Sequence, residues 1–591
     1  MNIKIDYKRD NYLSSFSIRT LKDRYLVGDE TSPQEAFARA AKAFADNEQH
    51  AQRLYDYASK LWFMFSTPIL SNGGTARGLP ISCFLNYVED SRKGITGHYT
   101  ENAFLSSVGG GVGGYWGEVR SVGSKTSSGS ESTGVVPFLK VVDAEMLAFS
   151  QGVTRRGSYA AYLDMSHPEI EEFLDIRKPT GGDINRKSTN LHHGVVISDS
   201  FMELIQQASI EENFDDSWNL IDPHSKEVVK TVAAKALWVK LIQNRVETGE
   251  PYIMFGDTVT EGMPECQKKL GLKITQSNLC SEITLATADD RTAVCCLSSV
   301  NLEEYNEWSN DPNFIPDLVR MLDNVLEHFI RRAPTELWKA AYSAEQERSI
   351  GLGAMGFHAY LQRQNIPFES PLAKGRNLSM FRHIKEEAEK ATRQLAKERG
   401  EAPDAIGTGA RNCHLLAIAP NASSSIICGN TSPSIEPYRA NAFSQKTKSG
   451  TSLQKNEYLE SILQDAGKDT DEVWKSIVTK GGSIQHLDFL DDWTKDVFKT
   501  AVEIDQRWVI ELAADRQKFI CQSQSLNVFF PSNVSKQELH AIHMQAWKGK
   551  VKTLYYLRSE AYKRAETISD EVLRQRIFES IDETACLACE G

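Results

Sequence analysis

The sequence predicts an α/β fold, a parallel sheet or barrel behind a helical N-terminal region. Short apolar runs typical of strands, GVVIS at 194–198 and PYIMF at 251–255, alternate with long amphipathic helical segments. Such alternation favours parallel strands that are joined by helices. The chain has 591 residues, about four times the length of an average domain, and it shows no fixed-period repeat and no long linker. One large body with a helical cap is therefore the simplest architecture.

Residues 1–66 are predicted to be helical, and residues 67–565 to form the main domain. The stretch from Ser32 starts with Ser-Pro, carries Glu35 in its first turn and continues with dense helix formers. These features are typical of a helix start. From about Thr67 the sequence changes to glycine- and serine-rich loops around short apolar segments, and this change places the boundary there.

Further along, one helix carries a single apolar stripe. Leu318, Met321, Leu322, Val325 and Phe329 fall on one face at helical spacing. A stripe of this kind is typical of a core-facing helix, so we expect these side chains to pack in the core rather than to contact a cofactor.

Residues 566–591 are predicted to form a flexible redox tail. The chain ends in ACLACEG, with Cys586 and Cys589 in a CxxC motif. A zinc site needs four ligands, and the sequence has no second CxxC and no HxxxH. A dithiol that cycles to a disulfide fits better, because this spacing lowers one thiol pKa and permits rapid exchange. Chain ends fray unless they are docked, so we expect this dithiol to move.

Composition excludes several classes of protein. Hydrophobic residues make up 41% and charged residues 25%, as in soluble globular proteins rather than disordered ones. The net charge of −12 argues against bulk binding to nucleic acid or anionic membranes, although a local basic pocket for phosphates remains open. The sequence has no apolar run long enough to span a membrane and no signal peptide, so we expect a cytoplasmic protein. Ten cysteines are too few for a disulfide scaffold.

Two polar segments are ambiguous on their own. The glycine run at 109–114 permits close approach of a ligand but matches neither a dinucleotide-binding fingerprint nor a phosphate-binding P-loop, which favours a flexible loop. The segment PNASSS at 420–425, followed by SPSIEP at 432–437, offers hydroxyl and backbone N–H groups for an anion. By composition alone, a helix cap and loop is the favoured interpretation of it.

The segment NLCSE carries the most specific chemistry. Asn278, Cys280 and Glu282 occupy alternating positions, so on an extended segment all three would point to one face and could meet one small ligand. Other candidates are Cys83, the CCLSSVNL segment at 295–302 and the tyrosine pair in KTLYY. A cysteine taken alone is more often a small buried hydrophobe.

Five motifs together identify a family. NLCSE, CCLSSVNL, PNASSSI with IEP, KTLYY and the terminal CLAC occur in the order in which they occur in class I ribonucleotide reductases. The sequence resembles the large, catalytic subunit of these enzymes from about Thr67 to the C-terminus. The resemblance implies an α/β barrel of ten strands in two parallel halves of five. It also implies reduction of ribonucleoside diphosphates to 2′-deoxyribonucleoside diphosphates.

The resemblance assigns a role to each active-site residue. Cys280 matches the cysteine that becomes a thiyl radical and abstracts the ribose 3′ hydrogen. Cys83 and Cys295 match the pair that supplies two electrons and closes to a disulfide as the 2′ hydroxyl leaves as water. Glu282 matches the general base at the 3′ hydroxyl, and Asn278 the amide that holds the ribose hydroxyls. No metal is expected in this chain.

The tyrosine pair decides the class. Tyr555 and Tyr556 match a relay that passes the radical from a small subunit to Cys280. The resemblance thus implies a partner small (beta) subunit that carries the metal or radical cofactor, with no cofactor bound by this chain. Thioredoxin or glutaredoxin is expected to reduce Cys586 and Cys589. An adenosylcobalamin-dependent class II enzyme is the main alternative; a glycyl-radical enzyme and an inactive nucleotide-binding regulator are weaker ones, since the tyrosine pair and all five cysteines are present.

The resemblance also implies nucleotide sites and a homodimer. The positions that match the substrate cradle are Thr67, Ser82, Gly110, Gly111, Asn421, Ala422, Ser423, Ser424 and Ser425. Asp90 and Arg120 match contacts to a nucleoside triphosphate effector, ATP or a deoxynucleotide, and Arg186 is the expected base-contacting residue of a specificity loop at 179–191. Effector and substrate affinities must then be coupled reciprocally.

The chain departs from the family pattern in four places. Only some 66 residues precede Thr67, so we expect no ATP cone and no inhibition by dATP through one. Ala422 stands where many class I enzymes have a carboxylate. The Cys295-Cys296 doublet is ambiguous, and the CxLSxxNL register favours Cys295. The spacing of the terminal CLAC is tighter than in several relatives.

Overall fold

The computed structural model describes residues 1–81, 83–149, 157–447 and 450–559. Within these ranges the β-strands are β1 Phe63–Phe65, β2 Cys83–Tyr87, β3 Gly111–Tyr115, β4 Ser158–Asp164, β5 His192–Ile197, β6 Ser217–Ile221, β7 Val228–Ala233, β8 Tyr252–Phe255, β9 Ala293–Cys295, β10 Leu297–Asn301, β11 Gly351–Met355, β12 Ala442–Thr447, β13 Gly450–Lys455, β14 Val528–Phe530, β15 Thr553–Leu554 and β16 Leu557–Ser559.

The α-helices of the same ranges are α1 Ser15–Arg24, α2 Pro33–Phe44, α3 Glu48–Ser59, α4 Thr67–Asn72, α5 Arg92–Ser107, α6 Val135–Ala148, α7 Ile170–Leu174, α8 Asp199–Ile210, α9 Ala234–Thr248, α10 Gly256–Glu261, α11 Glu265–Lys269, α12 Tyr305–Trp308, α13 Phe314–Arg332, α14 Trp338–Glu347, α15 Phe357–Arg363, α16 Pro371–Arg399, α17 Ala422–Ile427, α18 Glu457–Asp465, α19 Asp471–Thr479, α20 Asp492–Val497, α21 Gln506–Gln517 and α22 Lys536–Lys548.

The first half of the barrel is a run of five parallel strands in the order β2, β3, β4, β5 and β8. Helices connect successive strands, as parallel pairing requires. The strands predicted at 194–198 and 251–255 are β5 and β8, so both predictions are confirmed to within two residues at either end.

The second half consists of five further segments, some of them very short. β10 pairs in parallel with β11, and single parallel bridges continue the series from Leu352 to Leu416 and from Ile418 to Gln524. β14 then pairs in parallel with β16. The two halves meet at two antiparallel seams, β2 with β9 and β8 with β15. Among the residues that the structure describes, the barrel therefore has ten strands in two parallel halves of five, as the resemblance implied.

The N-terminal region is helical, as predicted. Ser32 caps α2, and its side chain and that of Glu35 form a reciprocal capping box. The predicted stripe lies on α13, where all five of its side chains are buried in the main core. Among the residues that the structure describes, none of the helices combines the length and apolar character that a membrane crossing requires.

The prediction of a flexible glycine loop at 109–114 is wrong for most of that segment. Residues Gly111 to Gly114 belong to β3, which pairs with β2 and β4. A Cβ atom at Gly113 would lie 2.1 Å from the backbone oxygen of Ser277, and one at Gly111 would lie 2.7 Å from the Leu279 side chain. The glycines therefore let the segment around residue 278 approach the barrel wall.

Ser82 and residues 560–591, which include Cys586 and Cys589 of the predicted redox tail, lie outside the described residues. The predictions made for these residues stay predictions.

Candidate active site

The NLCSE segment forms a tight turn, so the prediction of an extended segment is wrong. Ser281 has a φ of +66°, a value that extended backbone does not adopt. The Asn278 side-chain oxygen accepts the backbone N–H groups of Glu282 at 3.1 Å and Ile283 at 3.2 Å. The turn, rather than the two-residue period of a strand, brings the polar side chains together.

Both halves of the barrel hold this turn. From β4 of the first half, the Tyr162 hydroxyl donates to the backbone oxygen of Asn278 at 2.8 Å. From the second half, the Ser525 hydroxyl donates to the backbone oxygen of Cys280 at 2.5 Å, and the Ser523 N–H donates to that of Glu282 at 2.9 Å. Cys280 is thereby fixed inside the barrel, where it is fully buried.

Cys83 and Cys295 are direct cross-strand neighbours at the first seam. They are register partners in the antiparallel pairing of β2 with β9, both are buried, and their thiols are hydrogen-bonded to each other. Side chains opposed in this way have Cβ atoms about 4.5–5.5 Å apart, near the range that a disulfide requires. Burial first, and then the Cys83 thiol, raise the pKa of Cys295 well above its ordinary value. Cys295 is therefore a protonated thiol at neutral pH, and the pair can lose two electrons by closing to a disulfide.

Glu282 is a buried carboxyl group beside this pair. Burial, and next the nearby Cys83, raise the pKa of Glu282 to about 8. One carboxyl oxygen accepts from the Ser525 hydroxyl at 3.1 Å, whereas the other has no hydrogen-bond partner. The side-chain nitrogen of Asn278 also has no partner. Buried polar atoms are costly to leave unpaired, so these two atoms favour a polar ligand at this site.

Tyr555 and Tyr556 follow the second seam and pack into the same cluster as Cys280. Their ring centroids are 4.2 Å apart, and Tyr252 of β8 contacts both at 4.7 and 5.1 Å. The Tyr556 hydroxyl lies 3.3 Å from Nδ1 of His192. The three rings therefore contact one another, within the same packed cluster as the buried cysteine.

The predicted substrate-cradle residues lie on separate elements. Asn421 adopts a left-handed φ of +56°, stands immediately before α17, and its side-chain amide is hydrogen-bonded to Ser299 at 2.9 Å. The next four residues begin α17, and the three serines among them, Ser423, Ser424 and Ser425, are buried while Ala422 is half-buried. Thr67 begins α4 and is hydrogen-bonded to the Tyr25 hydroxyl at 3.0 Å. Gly110 is buried just before β3.

Two of the three predicted effector residues meet. Asp90 follows β2 and Arg120 follows β3, and their side chains form an ion pair of 2.9 Å. His224 lies 3.3 Å from the same carboxylate. Arg186 instead pairs with Glu172, with an N···O distance of 2.6 Å.

Comparison with known proteins identifies the family of this chain. Residues 81–405 and 404–557 match the family described as ribonucleotide reductase, barrel domain, and residues 12–78 match ribonucleotide reductase, all-alpha domain. The chain belongs to the ribonucleotide reductase family.

Large subunits of ribonucleotide reductases are similar to it along nearly the whole chain. The putative ribonucleoside-diphosphate reductase large subunit of Frog virus 3 (isolate Goorha) is 48% identical, over 93% of this chain and 94% of that one. The ribonucleoside-diphosphate reductase large subunit of Invertebrate iridescent virus 3 is 43% identical over the full length of both chains. The solved class Id ribonucleotide reductase alpha subunit of Actinobacillus ureae is 35% identical with a TM-score of 0.81, over 94% of this chain and 98% of that one. The predicted family and the prediction of an oxidoreductase are thus confirmed.

Several residues of this ribonucleotide reductase site were missed by sequence reasoning. Ser525, Tyr162 and Tyr252 contact the turn or the tyrosine pair, but each lies in a different part of the sequence. The one available signal is QSQSLN at 522–527, a polar run just before the apolar residues of β14. No group of three or more metal-ligating side chains lies within the described ranges.

Proposed function

We propose that this chain reduces ribonucleoside diphosphates to 2′-deoxyribonucleoside diphosphates by means of a thiyl radical at Cys280. One observation carries the proposal: a buried cysteine, a buried carboxyl group and a cross-strand thiol pair converge inside a closed barrel. A barrel interior excludes the water and stray reductants that would quench a radical.

The proposed steps balance in atoms and electrons. The Cys280 thiyl takes the 3′ hydrogen atom and becomes a thiol, while Glu282 takes the proton of the 3′ hydroxyl. The 2′ hydroxyl leaves as water with a proton from the Cys83–Cys295 pair. One thiol proton leaves in that water, and the other thiol gives a hydrogen atom to the 2′ carbon. The two sulfurs close to a disulfide, and the remaining electron, together with the proton that Glu282 returns, restores the 3′ hydroxyl. Cys280 returns its hydrogen atom to the 3′ carbon, which restores the thiyl.

We propose that a separate small subunit supplies the oxidising equivalent from its metal or radical cofactor. The contact between Tyr555 and Tyr556 at 4.2 Å, within one cluster with Cys280, supports a relay of an electron hole through both rings. A relay of this kind serves a class I enzyme and has no role in a class II enzyme. Cys586 and Cys589 would reduce the active-site disulfide and be reduced in turn by thioredoxin or glutaredoxin.

The nucleotide sites are proposed from the same resemblance. Residues 421–425, with Thr67, Ser82, Gly110 and Gly111, would hold the diphosphate through hydroxyl and backbone N–H groups. Asp90 and Arg120 would bind a nucleoside triphosphate effector, and Arg186 would leave Glu172 to contact the effector-dependent base. A homodimer would form when the effector binds.

The test is CDP reduction by the full chain with dithiothreitol and an ATP or dATP effector, with and without a cognate small subunit. Parallel samples carry Cys280→Ser, Tyr556→Phe and, as a control, Cys521→Ser. Cys521 is half-buried, and its sulfur accepts hydrogen bonds from the backbone N–H groups of Leu415 at 3.1 Å and Leu416 at 3.2 Å. We expect turnover only with the small subunit, lost in the first two variants and retained in the control.

Two other outcomes would overturn parts of the proposal. Turnover on added adenosylcobalamin without a small subunit, unaffected by Tyr556→Phe, would make this a class II enzyme with the same ribose chemistry. Tight nucleotide binding without turnover under either condition would indicate a regulator built on the reductase fold.

A further inference from the structure

Cys266 and Cys413 form a second thiol pair outside the active site. Each thiol is close enough to shift the pKa of the other, and both residues are half-buried rather than enclosed. Cys266 lies on α11, and Cys413 lies just before the second-half segment at 416–418. The pair therefore joins two elements that are far apart in the sequence.

Hydrogen bonds around the pair hold the two cysteines side by side. The residues that follow them, Gln267 and His414, are hydrogen-bonded through their side chains at 3.2 Å. Gln267 also donates to a carboxyl oxygen of Glu347 at 3.2 Å, and the Cys413 N–H donates to the backbone oxygen of the same glutamate at 3.0 Å. The two contacts of Gln267 thus tie α11 to residues beside Cys413.

The two thiols have different acidities. The nearby Cys413 thiol, with help from the backbone N–H groups at residues 266 and 267, lowers the pKa of Cys266 to about 6. The same contact, together with burial, raises the pKa of Cys413. One member is therefore mostly a thiolate at neutral pH, the form that attacks electrophiles, while its partner keeps its proton.

We propose that Cys266 and Cys413 are a second redox site, which closes reversibly to a disulfide when a peroxide oxidises Cys266. The Cys266 thiolate attacks the peroxide, which breaks the O–O bond, oxidises the sulfur to a sulfenic acid and releases hydroxide. The Cys413 thiol then attacks that sulfur, forms the disulfide and releases water. In total two thiols and one hydrogen peroxide give one disulfide and two waters.

The disulfide would link two segments that lead into the active site. Cys280 comes fourteen residues after Cys266, and Asn421 comes eight residues after Cys413. A bond between distant parts of a chain restricts the unfolded state, so oxidation is expected to raise the melting temperature. None of this depends on nucleotide reduction.

The test uses the reduced full chain, treated with a few equivalents of hydrogen peroxide, alkylated, digested and analysed by mass spectrometry. We expect a peptide pair linked through Cys266 and Cys413 that dithiothreitol removes. Cys413→Ser should abolish the link and leave Cys266 as a sulfenic acid that dimedone traps. Cys521→Ser, the matched control at another half-buried cysteine, should leave the link unchanged.

Measurement on the unsubstituted chain makes the outcome independent of how any variant folds. The proposal is wrong if both cysteines stay alkylatable while Cys83 and Cys295 are oxidised. It is also wrong if Cys266 is oxidised to a sulfenic acid but Cys413 keeps a free thiol.

Discussion

The protonation state of Glu282 controls the proposed proton transfer. Burial raises its pKa to about 8, and a general base must be ionised to act. We therefore expect kcat/KM for CDP reduction to rise with pH and to level off above about pH 8, since this parameter reports groups of the free enzyme. The measurement is a kcat/KM profile from pH 6 to 9. A flat profile across pH 7 to 8.5 would contradict the assignment, and Glu282→Gln should lose turnover at every pH.

The raised pKa of Glu282 also makes the folding stability of the chain depend on pH. Because the folded pKa of Glu282 lies above the value of an unfolded glutamate, about 4.3, protonation favours the folded chain. The contribution of Glu282 to stability is thus fully present below about pH 4 and is lost as the pH rises through about 8.

Ser525 is predicted to position both Cys280 and Glu282. Ser525→Ala removes a donor to the Cys280 backbone oxygen and to the Glu282 carboxyl group. Loss of about one hydrogen bond, roughly 1 kcal/mol, corresponds to a fall in kcat of several-fold to about tenfold. The hydrogen bond from Ser525 lowers the pKa of Glu282, so the rise in kcat/KM should also move to higher pH.

The control for Ser525→Ala is Ser523→Ala. Ser523 is equally buried and contacts the same turn through its backbone N–H, but its hydroxyl has no partner. We expect its pH profile to match that of the unsubstituted chain. Equal losses in both variants, with no shift of the profile, would mean that Ser525 acts only through packing.

At the scale of elements, the glycines of β3 are predicted to set the position of the catalytic turn. In Gly113→Ala the new Cβ would lie 2.1 Å from the Ser277 oxygen and 2.8 Å from the Asn278 Cα, so the turn must move. Misplacement of reacting groups by about 1 Å costs on the order of 100-fold in rate, and we expect a fall of that size in CDP reduction.

The control for this prediction is Gly97→Ala in α5. A Cβ there meets nothing within 4 Å, and alanine is about 1 kcal/mol better than glycine in a helix interior. We expect full activity and an unchanged or higher melting temperature. Full activity in Gly113→Ala would show that the turn does not depend on this close approach.

The sequence predicts those elements whose signal is local. The capping residues of α2 and the apolar stripe of α13 identify both helices, because each pattern lies within one element. β3 carries three glycines and no alternating pattern, so only its pairing with β2 and β4 makes it a strand. The shape of the turn at residues 278–283 likewise depends on Ser525, which lies more than 200 residues away. The pairing of Cys83 with Cys295 followed from the family resemblance, not from spacing.

At the scale of the whole molecule, closure of the barrel assembles the site. The first seam, between β2 and β9, opposes the two thiols of the reducing pair. The second seam, between β8 and β15, comes directly before Tyr555 and Tyr556. Cys280 lies on the connection between the halves and contacts residues of both. The reducing pair, the radical cysteine and the tyrosines therefore come together only in the closed barrel.

A buried charge network is predicted to join the N-terminal region to the outer helices of the barrel. Asp323 on α13 is fully buried and accepts from Arg348 at 3.0 Å, Arg399 at 2.7 Å and Arg411 at 3.3 Å. Arg399 also pairs with Asp46, which lies between α2 and α3, at 2.7 Å. Burial alone would raise the pKa of Asp323, but Arg348 and Arg411 outweigh it and lower that pKa.

Asp323→Asn should therefore destabilise the chain strongly, because it leaves three arginines, of which Arg348 is itself buried, without this carboxylate. Breaking a buried ion pair from one side costs about 3–5 kcal/mol, which urea unfolding at pH 7 would detect as a lower midpoint. Since the folded pKa of Asp323 is lowered, its contribution is present above the unfolded value, about 3.9, and is lost only as the pH falls through the folded value. The loss of unfolding free energy in Asp323→Asn should thus be constant between pH 6 and 8.

The control is Glu336→Gln, at an exposed carboxylate, which should unfold at the same urea concentration as the unsubstituted chain. If Asp323→Asn also unfolds at that urea concentration, the charge network does not hold the N-terminal region to the outer helices of the barrel.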